Sequence, residues 1–191
     1  MTDLPLGTPP RPAGGLARLS AGILGIEKAV GAGLVALIFL AMIAGAASGW
    51  LRRPLAWTDE FAVHMMVCLA FLGASMAVAL GQHMTMGLLP DALNARNRAR
   101  LALLNDLLLL LFLLVMAWII WRWLDLPGLI RAGSVAAFAQ ETFSFIYSDP
   151  TQTLGVRKIW FWLVMPVTTL TALIHVLAQI ATDLAVLRGQ P

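Results

Sequence analysis

The stretch AVGAGLVALIFLAMIAGAAS, residues 29–48, runs for twenty residues without a charged side chain. As an α-helix, which rises about 1.5 Å per residue, it covers about 30 Å and therefore spans the hydrocarbon core of a bilayer. Three more stretches of comparable length and polarity follow it. The sequence thus predicts an all-α integral membrane protein with four transmembrane helices, at approximately residues 29–49, 60–81, 101–123 and 159–184.

The overall composition agrees with a membrane protein rather than with a soluble domain. Hydrophobic residues make up 60% of the 191 residues and charged residues only 12%, whereas a soluble domain of this size needs more charge to keep its surface in water. The net charge of +3 comes from basic residues scattered through the connecting segments, which argues against binding to nucleic acid. The single cysteine, Cys68, lies in an apolar stretch and is expected to be an inert, buried thiol.

The segments outside the four spans predict three further features. Residues 1–15 are rich in proline and glycine and are expected to be a disordered tail in front of a single membrane domain, residues 16–191. An N-terminal interfacial helix is expected before span one, because apolar side chains recur there at helical spacing: Leu16, Leu19, Ile23 and Ile26. The loop between spans three and four is expected to be partly helical, with its apolar and aromatic residues 135–147 resting on the membrane or on a partner.

The distribution of basic residues indicates the direction of the spans. Four spans place both termini on one side, which then carries seven cations against six on the other side. A tight cluster, Arg96, Arg98 and Arg100, lies in a short loop on the side of the termini. Basic residues in short loops favour the cytoplasm, so both termini are predicted to be cytoplasmic.

The segment Trp57-Thr58-Asp59-Glu60 opens span two. Thr58 is suited to capping a helix start, and two acidic residues in the first turn suit the positive end of the helix dipole. Two arginines, Arg52 and Arg53, precede the acids closely enough in sequence to pair with them. This charged rim is interpreted first as a helix start, and alternatively as a surface that docks a partner or positions an ion.

The histidines raise two metal hypotheses. His64 and His83 lie close to methionines, a combination that suits Cu(I), but nineteen residues of helix place them about 28 Å apart, so they cannot share an ion. His64 and His175 would be the pair for a b-type haem, but they lie about 8 Å and about 24 Å from the same end of the bundle. The favoured interpretation of His64 is a neutral, hydrogen-bonded side chain, and no metal or cofactor is predicted.

Asn105 and Asp106 are the polar residues near the start of span three. They are interpreted as a polar helix start or, alternatively, as hydrogen-bonding groups that meet another helix. The sequence contains no recognisable nucleophile–base pair, phosphate-binding loop or HExxH motif, so no catalytic activity is predicted.

Several short motifs occur in a specific order along the chain. The WTDE segment, residues 57–60, is followed in span two by Phe71-Leu72-Gly73-Ala74, which runs on to Gly81-Gln82-His83. Later, Thr153-Leu154-Gly155-Val156 leads into an aromatic span that contains Pro166. In their order and spacing these motifs resemble the small membrane subunit, the DctQ type, of the tripartite ATP-independent periplasmic (TRAP) transporters. The sequence departs from the family near Gly87, where relatives often carry an acidic residue.

The resemblance implies a scaffold subunit in the bacterial inner membrane. It would anchor a large membrane subunit that carries out sodium-coupled uptake of an organic acid, delivered by a periplasmic solute-binding protein, with phospholipid around it. The alternatives left open are a b-haem membrane anchor of a redox complex and a stand-alone small channel. The residues expected to contact partners lie mainly at span ends: Arg52, Arg53, Trp57, Asp59, Glu60, His64, Gly73, His83 and Asp106.

Overall fold

The protein is described by a computed structural model that covers residues 14–81 and 94–188. Most of the predicted tail and His83 therefore lie outside the described residues. The helices of the described part are α1 Gly15–Trp50, α2 Trp57–Ala79, α3 Ala95–Leu124, α4 Leu126–Ala132, α5 Val135–Thr142, α6 Ile159–Trp162 and α7 Val164–Leu187. Four helical stretches are long and apolar enough to cross a membrane, which confirms the all-α, four-span class: Gly15–Trp50, Trp57–Ala79, Arg100–Ala132 and Ile159–Ala185.

The first helix joins the expected interfacial segment and span one in a single element. α1 is one continuous helix of 36 residues that contains both the predicted interfacial segment and span one. No proline interrupts this part of the chain, so the helix has no reason to break. Near the middle of this helix Glu27 is only 4% exposed, because it packs against α2 and α7.

The four long helices pack in the order α1, α2, α7, α3. α1 lies along α2 and touches α7, while α3 packs mainly against α7. α2 and α7 are consequently the more buried pair, and α1 and α3 expose most of their apolar surface. One apolar cluster joins α2, α3 and α7 through Val78, Leu113, Ala172 and Val176. A second joins the end of α3 to α6 through Ile120, Leu124 and Ile159.

A short loop connects α1 to α2 and is fixed by main-chain hydrogen bonds. The N–H groups of Arg52 and Arg53 donate to the carbonyls of Gly49 and Ser48 at 3.0 Å each, the pattern of a Schellman motif. Arg52 occupies the left-handed position, with φ of 54°, where glycine is usual. The loop is thus held in one conformation, with both arginine side chains exposed.

Thr58 lies at the contact between α1 and α2. It is not the helix cap that its position in the sequence predicts. The helix begins one residue earlier, at Trp57, with Ala56 in the cap position. The Thr58 hydroxyl donates to the Leu55 carbonyl at 2.8 Å, and the side chain is buried against Gly45 of α1. The capping prediction is therefore wrong, because α2 begins before Thr58 and the hydroxyl bonds back to Leu55 instead of to the first turn of the helix.

The contact at Gly45 gives a first testable prediction. A Cβ at this position would lie 2.9 Å from Thr58 Oγ1, whose rotamer is fixed by its hydrogen bond. We expect Gly45→Ala to lower the stability by about 1–3 kcal/mol, since overpacking forces neighbouring groups apart. Thermal unfolding of the detergent-solubilised chain, followed by loss of the monodisperse gel-filtration peak, measures the effect.

A second glycine of α1 provides the matched control. A Cβ at Gly33 would meet no atom within 4 Å. Gly33→Ala is expected to retain or increase the stability, because alanine favours a helix over glycine by about 1 kcal/mol. If the two variants unfold at the same temperature, α1 and α2 do not meet as closely as described.

The connection between spans three and four contains the two short helices α4 and α5, in agreement with the partly helical loop that was expected. Asp125 caps α4 by accepting a hydrogen bond from the Gly128 N–H at 3.1 Å. Phe138 of α5 is buried and packs edge-on against Tyr147, with ring centroids 5.6 Å apart. The Tyr147 hydroxyl donates to the Leu124 carbonyl at the end of α3. Partial burial, together with the charge of Asp125, raises the pKa of the Tyr147 phenol. The connection is thus tied to the end of span three.

Candidate functional site

A buried polar cluster lies where α1, α2 and α7 meet. It contains Glu27, Ser75 and His175, which are 4%, 1% and 0% exposed. The Ser75 hydroxyl donates to Glu27 Oε1 at 2.7 Å, and His175 Nε2 lies 3.2 Å from Glu27 Oε2. Both carboxylate oxygens of a buried acid therefore have a partner, each from a different helix.

Two further hydroxyl groups extend the cluster outward. Ser20 Oγ lies 2.7 Å from His175 Nδ1, and Thr171 Oγ1 lies 2.8 Å from Ser75 Oγ. When His175 carries its proton on Nε2, Nε2 donates to the Glu27 carboxylate and Nδ1 accepts a hydrogen bond from the Ser20 hydroxyl. Both hydrogen bonds of the ring then run in the direction of Glu27. Such a fully satisfied network fixes the relative positions of the helices that contribute to it.

The cluster lies near one end of the bundle. Ser75 is four residues before the end of α2 at Ala79, or about 6 Å along the helix. At the same end, the Gln179 side-chain amide donates to the Val78 carbonyl, which joins α7 to α2 once more. Polar groups therefore connect α2 and α7 at two successive levels.

Asp106 belongs to this same end of the bundle. It is 6% exposed and lies eleven residues after the start of α3 at Ala95, so it is not at the helix start. Instead Asn94 caps α3, accepting a hydrogen bond from the Asn97 N–H at 3.0 Å. Asp106 lies close enough to Asp183 of α7 for the two carboxyl groups to affect each other, so its side chain faces a neighbouring helix.

Sequence reasoning missed Glu27 and assigned His175 only a haem hypothesis. Glu27 lies beside Lys28 at the end of the segment whose spacing predicts an interfacial helix, where an acidic residue needs no partner. The available signal was His175, an ionisable residue in the middle of an apolar span, which requires a polar partner inside the membrane. The partner could not be identified because the two residues are 148 positions apart in the chain.

The rim at the opposite end of α2 is organised around Glu60. Its carboxylate accepts hydrogen bonds from the main-chain N–H groups of Gln152, Thr153 and Leu154, at 2.7, 2.6 and 3.2 Å. The Thr153 hydroxyl adds a fourth, at 2.6 Å. Consecutive N–H groups of this kind form a cradle for an anion, and here the anion is a side chain of the same protein.

The turn that holds Glu60 is itself closed by hydrogen bonds. Both the N–H and the hydroxyl of Thr151 donate to the Val156 carbonyl, at 2.7 and 2.8 Å. Gly155 adopts φ of 69°, a left-handed conformation that turns the chain sharply. An ion pair of 3.0 Å between Lys158 and Asp149 joins the two ends of this turn. Glu60 thus joins the start of α2 to a preformed turn ahead of α6.

The remaining rim residues are exposed. The predicted pairing of arginines with acids does not form at Glu60, whose carboxylate faces the turn, and within the described segments neither Arg52 nor Arg53 forms an ion pair. Asp59 is exposed as well, and Trp57 is 40% exposed with its ring edge-on to Phe61. These side chains are directed toward the surroundings of the bundle.

His64 is engaged within the chain. Its Nδ1 lies 2.7 Å from the Glu60 carbonyl, and its ring lies 4.3 Å from the ring of Phe161. The structure does not bring His64 and His175 together, because the nitrogens of His175 face Ser20 and Glu27. In the part of the chain that the structure describes, no group of three or more metal-binding side chains occurs.

Gly73 lies on an open side of α2. A Cβ at this position would meet nothing within 4 Å, so the glycine is not needed for packing inside the chain. His83, the last of the candidate contact residues, falls between the described segments. Gly73, Trp57 and the two arginines are therefore available to groups outside the chain.

The fold and the contacts described above identify the class of protein. The chain is a four-span helical membrane protein in which polar side chains connect helices to one another and to a preformed turn. The sequence profile described as "Tripartite ATP-independent periplasmic transporters, DctQ component" matches residues 35–186. Because this match covers well over half of the chain, the protein belongs to the DctQ family and is the small-subunit component of a TRAP transporter. No curated protein gives a match to the chain.

The structure adds a spatial relation between the motifs on which the resemblance was based. Glu60 of the WTDE segment is bound by Thr153 and Leu154 of the TLGV segment, more than ninety positions later. Both segments lie inside the matched region, whereas Ser20 and Glu27 precede it. The Glu60 contact is thus built wholly from the matched part of the chain.

Proposed function

We propose that this chain is the scaffold subunit that anchors the large membrane subunit of a TRAP transporter. In this proposal the complex performs sodium-coupled uptake of an organic acid delivered by a periplasmic solute-binding protein. The chain crosses the bacterial inner membrane four times, with both termini in the cytoplasm and with Arg52, Arg53, Trp57 and Asp59 toward the periplasm.

The main support for the proposal is that two acidic side chains are hydrogen-bonded within the chain itself. Glu27 and Glu60 are both saturated by hydrogen bonds from other segments of the same chain. Such contacts hold helices and turns in fixed relative positions, which suits a support. Transporters that carry their own substrate site usually have discontinuous helices near the middle of the bilayer. Here α1, α2 and α3 are each unbroken, and the interruption of span four, at Leu163, lies near its start.

Reconstitution tests this proposal directly. The chain and its large subunit, co-expressed with a tag on the large subunit only, are expected to co-purify in a fixed ratio. Proteoliposomes with both subunits and the binding protein should take up a radiolabelled carboxylate, chosen from a panel by its binding to that protein, when a sodium gradient is imposed.

Liposomes that lack one subunit provide the controls. Those with the large subunit alone should show little uptake, and those with this chain alone none above empty vesicles. Uptake by this chain alone would overturn the scaffold role. Full uptake by the large subunit alone would show that the chain is not required as a support.

A further inference from the structure

The contact between Glu27 and His175 places two ionisable side chains inside the bundle. Both are almost fully enclosed, and His175 Nε2 lies 3.2 Å from Glu27 Oε2. A polar contact between helices does not require groups that change charge, as the bond from Gln179 to the Val78 carbonyl shows. Ionisable residues inside membrane spans are costly, and the sites to which they belong include sites that take up protons.

The hydrogen bonds of the pair are complete when it holds one proton. That proton lies in the contact between His175 Nε2 and Glu27 Oε2, while Oε1 accepts from the Ser75 hydroxyl. The other ring nitrogen, Nδ1, is then bare and accepts a hydrogen bond from Ser20 Oγ, which lies 2.7 Å away. In this state Glu27 and His175 together carry a single negative charge.

The same contacts are complete when the pair holds a second proton. Whichever partner keeps the proton of the contact between Nε2 and Oε2, the added proton lies on Nδ1 of His175. Nδ1 then donates to Ser20 Oγ, and the Ser20 hydroxyl turns its own proton to a main-chain carbonyl of the preceding turn, as serines in helices do. The pair is now neutral overall, and every hydrogen bond to it is kept.

Ser20 connects the buried pair with the end of the bundle. It is half-buried, and it lies nine residues, or about 14 Å of helix, before the uncharged stretch that starts at Ala29. Arg18, two residues before Ser20, is exposed, and a charged side chain of this kind lies in water or among headgroups. The Ser20 hydroxyl is therefore placed between the aqueous end of α1 and the enclosed Nδ1.

The other charges around the pair leave His175 as the first group that a proton from Ser20 meets. The nearest ionisable groups along the packed helices lie on α1, α3 and α7: Arg18, Lys28, Asp106 and Asp183. The two cations are exposed, and Asp183 follows His175 by eight residues, or about 12 Å of helix. The turns of α2 at residues 69–79 contain no ionisable side chain.

We propose that Glu27, His175 and Ser20 form a proton-binding site, in which His175 Nδ1 takes up one proton from water through the Ser20 hydroxyl. A proton from water binds to Ser20 Oγ, the proton that Oγ carried moves to Nδ1, and no electrons are transferred. Release follows the reverse path. The buried charge changes by one unit while α1 stays bound to α2 and α7. The proposal rests on the helix packing and does not depend on the transport function.

Nuclear magnetic resonance of the histidine rings tests the proposal. The full chain, labelled with ¹⁵N only in its three histidines, is reconstituted in lipid nanodiscs, and His175→Asn identifies the signals of that ring. A bare ring nitrogen and an N–H group give well-separated ¹⁵N signals. When the pH is lowered from about 9 to about 5, His175 Nδ1 should change reversibly from bare to protonated.

Two substitutions of Ser20 test the path of the proton. Ser20→Thr keeps a hydroxyl at this position and should retain the reversible change at Nδ1. Ser20→Ala leaves the N–H of a protonated Nδ1 without an acceptor, so protonation should require a lower pH than in the native chain. Ser20→Thr is thus the matched control for Ser20→Ala.

Three results would overturn the proposal. An Nδ1 that keeps one protonation state from about pH 9 to about pH 5 would show that the cluster is a fixed polar contact. The same conclusion follows if Nδ1 changes only when the folded gel-filtration peak is lost. Native protonation of Nδ1 in Ser20→Ala would exclude Ser20 as the entry group. If Ser20→Ala does not fold, the native chain and Ser20→Thr decide by the first two results.

Discussion

Replacing Glu27 by alanine is expected to lower the free energy of unfolding by about 2 kcal/mol in detergent micelles. The substitution removes the acceptor for the Ser75 hydroxyl and for His175 Nε2, two groups that are almost completely buried. An unsatisfied buried donor costs about 1–3 kcal/mol, while a single interhelical hydrogen bond inside a membrane contributes on average only about 0.6 kcal/mol. Leaving two buried groups without their acceptor should therefore lower the free energy of unfolding more than the loss of one ordinary interhelical hydrogen bond.

Neighbouring substitutions separate the role of the cluster from a general effect on α1. Lys28→Ala changes the next residue, which is exposed, and should leave the unfolding temperature nearly unchanged. Glu27→Gln keeps an oxygen acceptor for Ser75 and should fall between alanine and the native residue. An unfolding temperature for Glu27→Ala equal to that of Lys28→Ala would contradict a cluster that holds α1 on the bundle.

A double-mutant cycle measures how strongly Glu27 and His175 are coupled. Because the two residues are direct partners, Glu27→Leu combined with His175→Leu should cost clearly less than the sum of the single changes. Removing both leaves no buried charge without a partner, and apolar replacements of similar volume are well tolerated in such positions. Additive losses would mean that the two side chains stabilise the bundle independently.

The four spans could be predicted from the sequence because their signal is local. A helix that crosses a bilayer must be apolar over about 20 consecutive residues, and nothing elsewhere in the chain alters that requirement. What the sequence left open at the start of α1 has the same origin. The spacing of Leu16, Leu19 and Ile23 predicts a helix correctly, but it does not reveal whether its polar residue Glu27 faces headgroups or a histidine of another helix.

The contacts that define the candidate site could not be predicted because they join distant segments. Glu60 was recognised as a helix-start acid, and the TLGV turn as a separate motif, but their contact depends on how α2 and α6 pack. The position of Thr58 shows the same limit. A threonine at a helix start suits a cap, and the close approach of Gly45 decides instead that its hydroxyl turns back to Leu55.

Replacing Glu60 by alanine is expected to release the turn at residues 152–154 and to reduce uptake by the reconstituted complex several-fold, with the helix content unchanged. The carboxylate accepts four hydrogen bonds from this turn, and charge-assisted bonds to a carboxylate are stronger than neutral ones. Amide hydrogen exchange of the peptide that contains residues 152–154 should accelerate, because Gln152, Thr153 and Leu154 lose their acceptor. Exchange and uptake together connect the local change with the function.

Asp59→Ala is the matched control, since it removes an acidic residue from the same helix turn and has the same effect on the helix dipole. Asp59 is exposed, so exchange at residues 152–154 should remain at the native rate.

If Asp59→Ala keeps exchange slow but loses uptake, the exposed acid contacts a partner directly, and the rim has two separable functions. If Glu60→Ala accelerates exchange and transport stays normal, the turn stabilises the fold without taking part in transport. Native exchange in Glu60→Ala would contradict the contact itself.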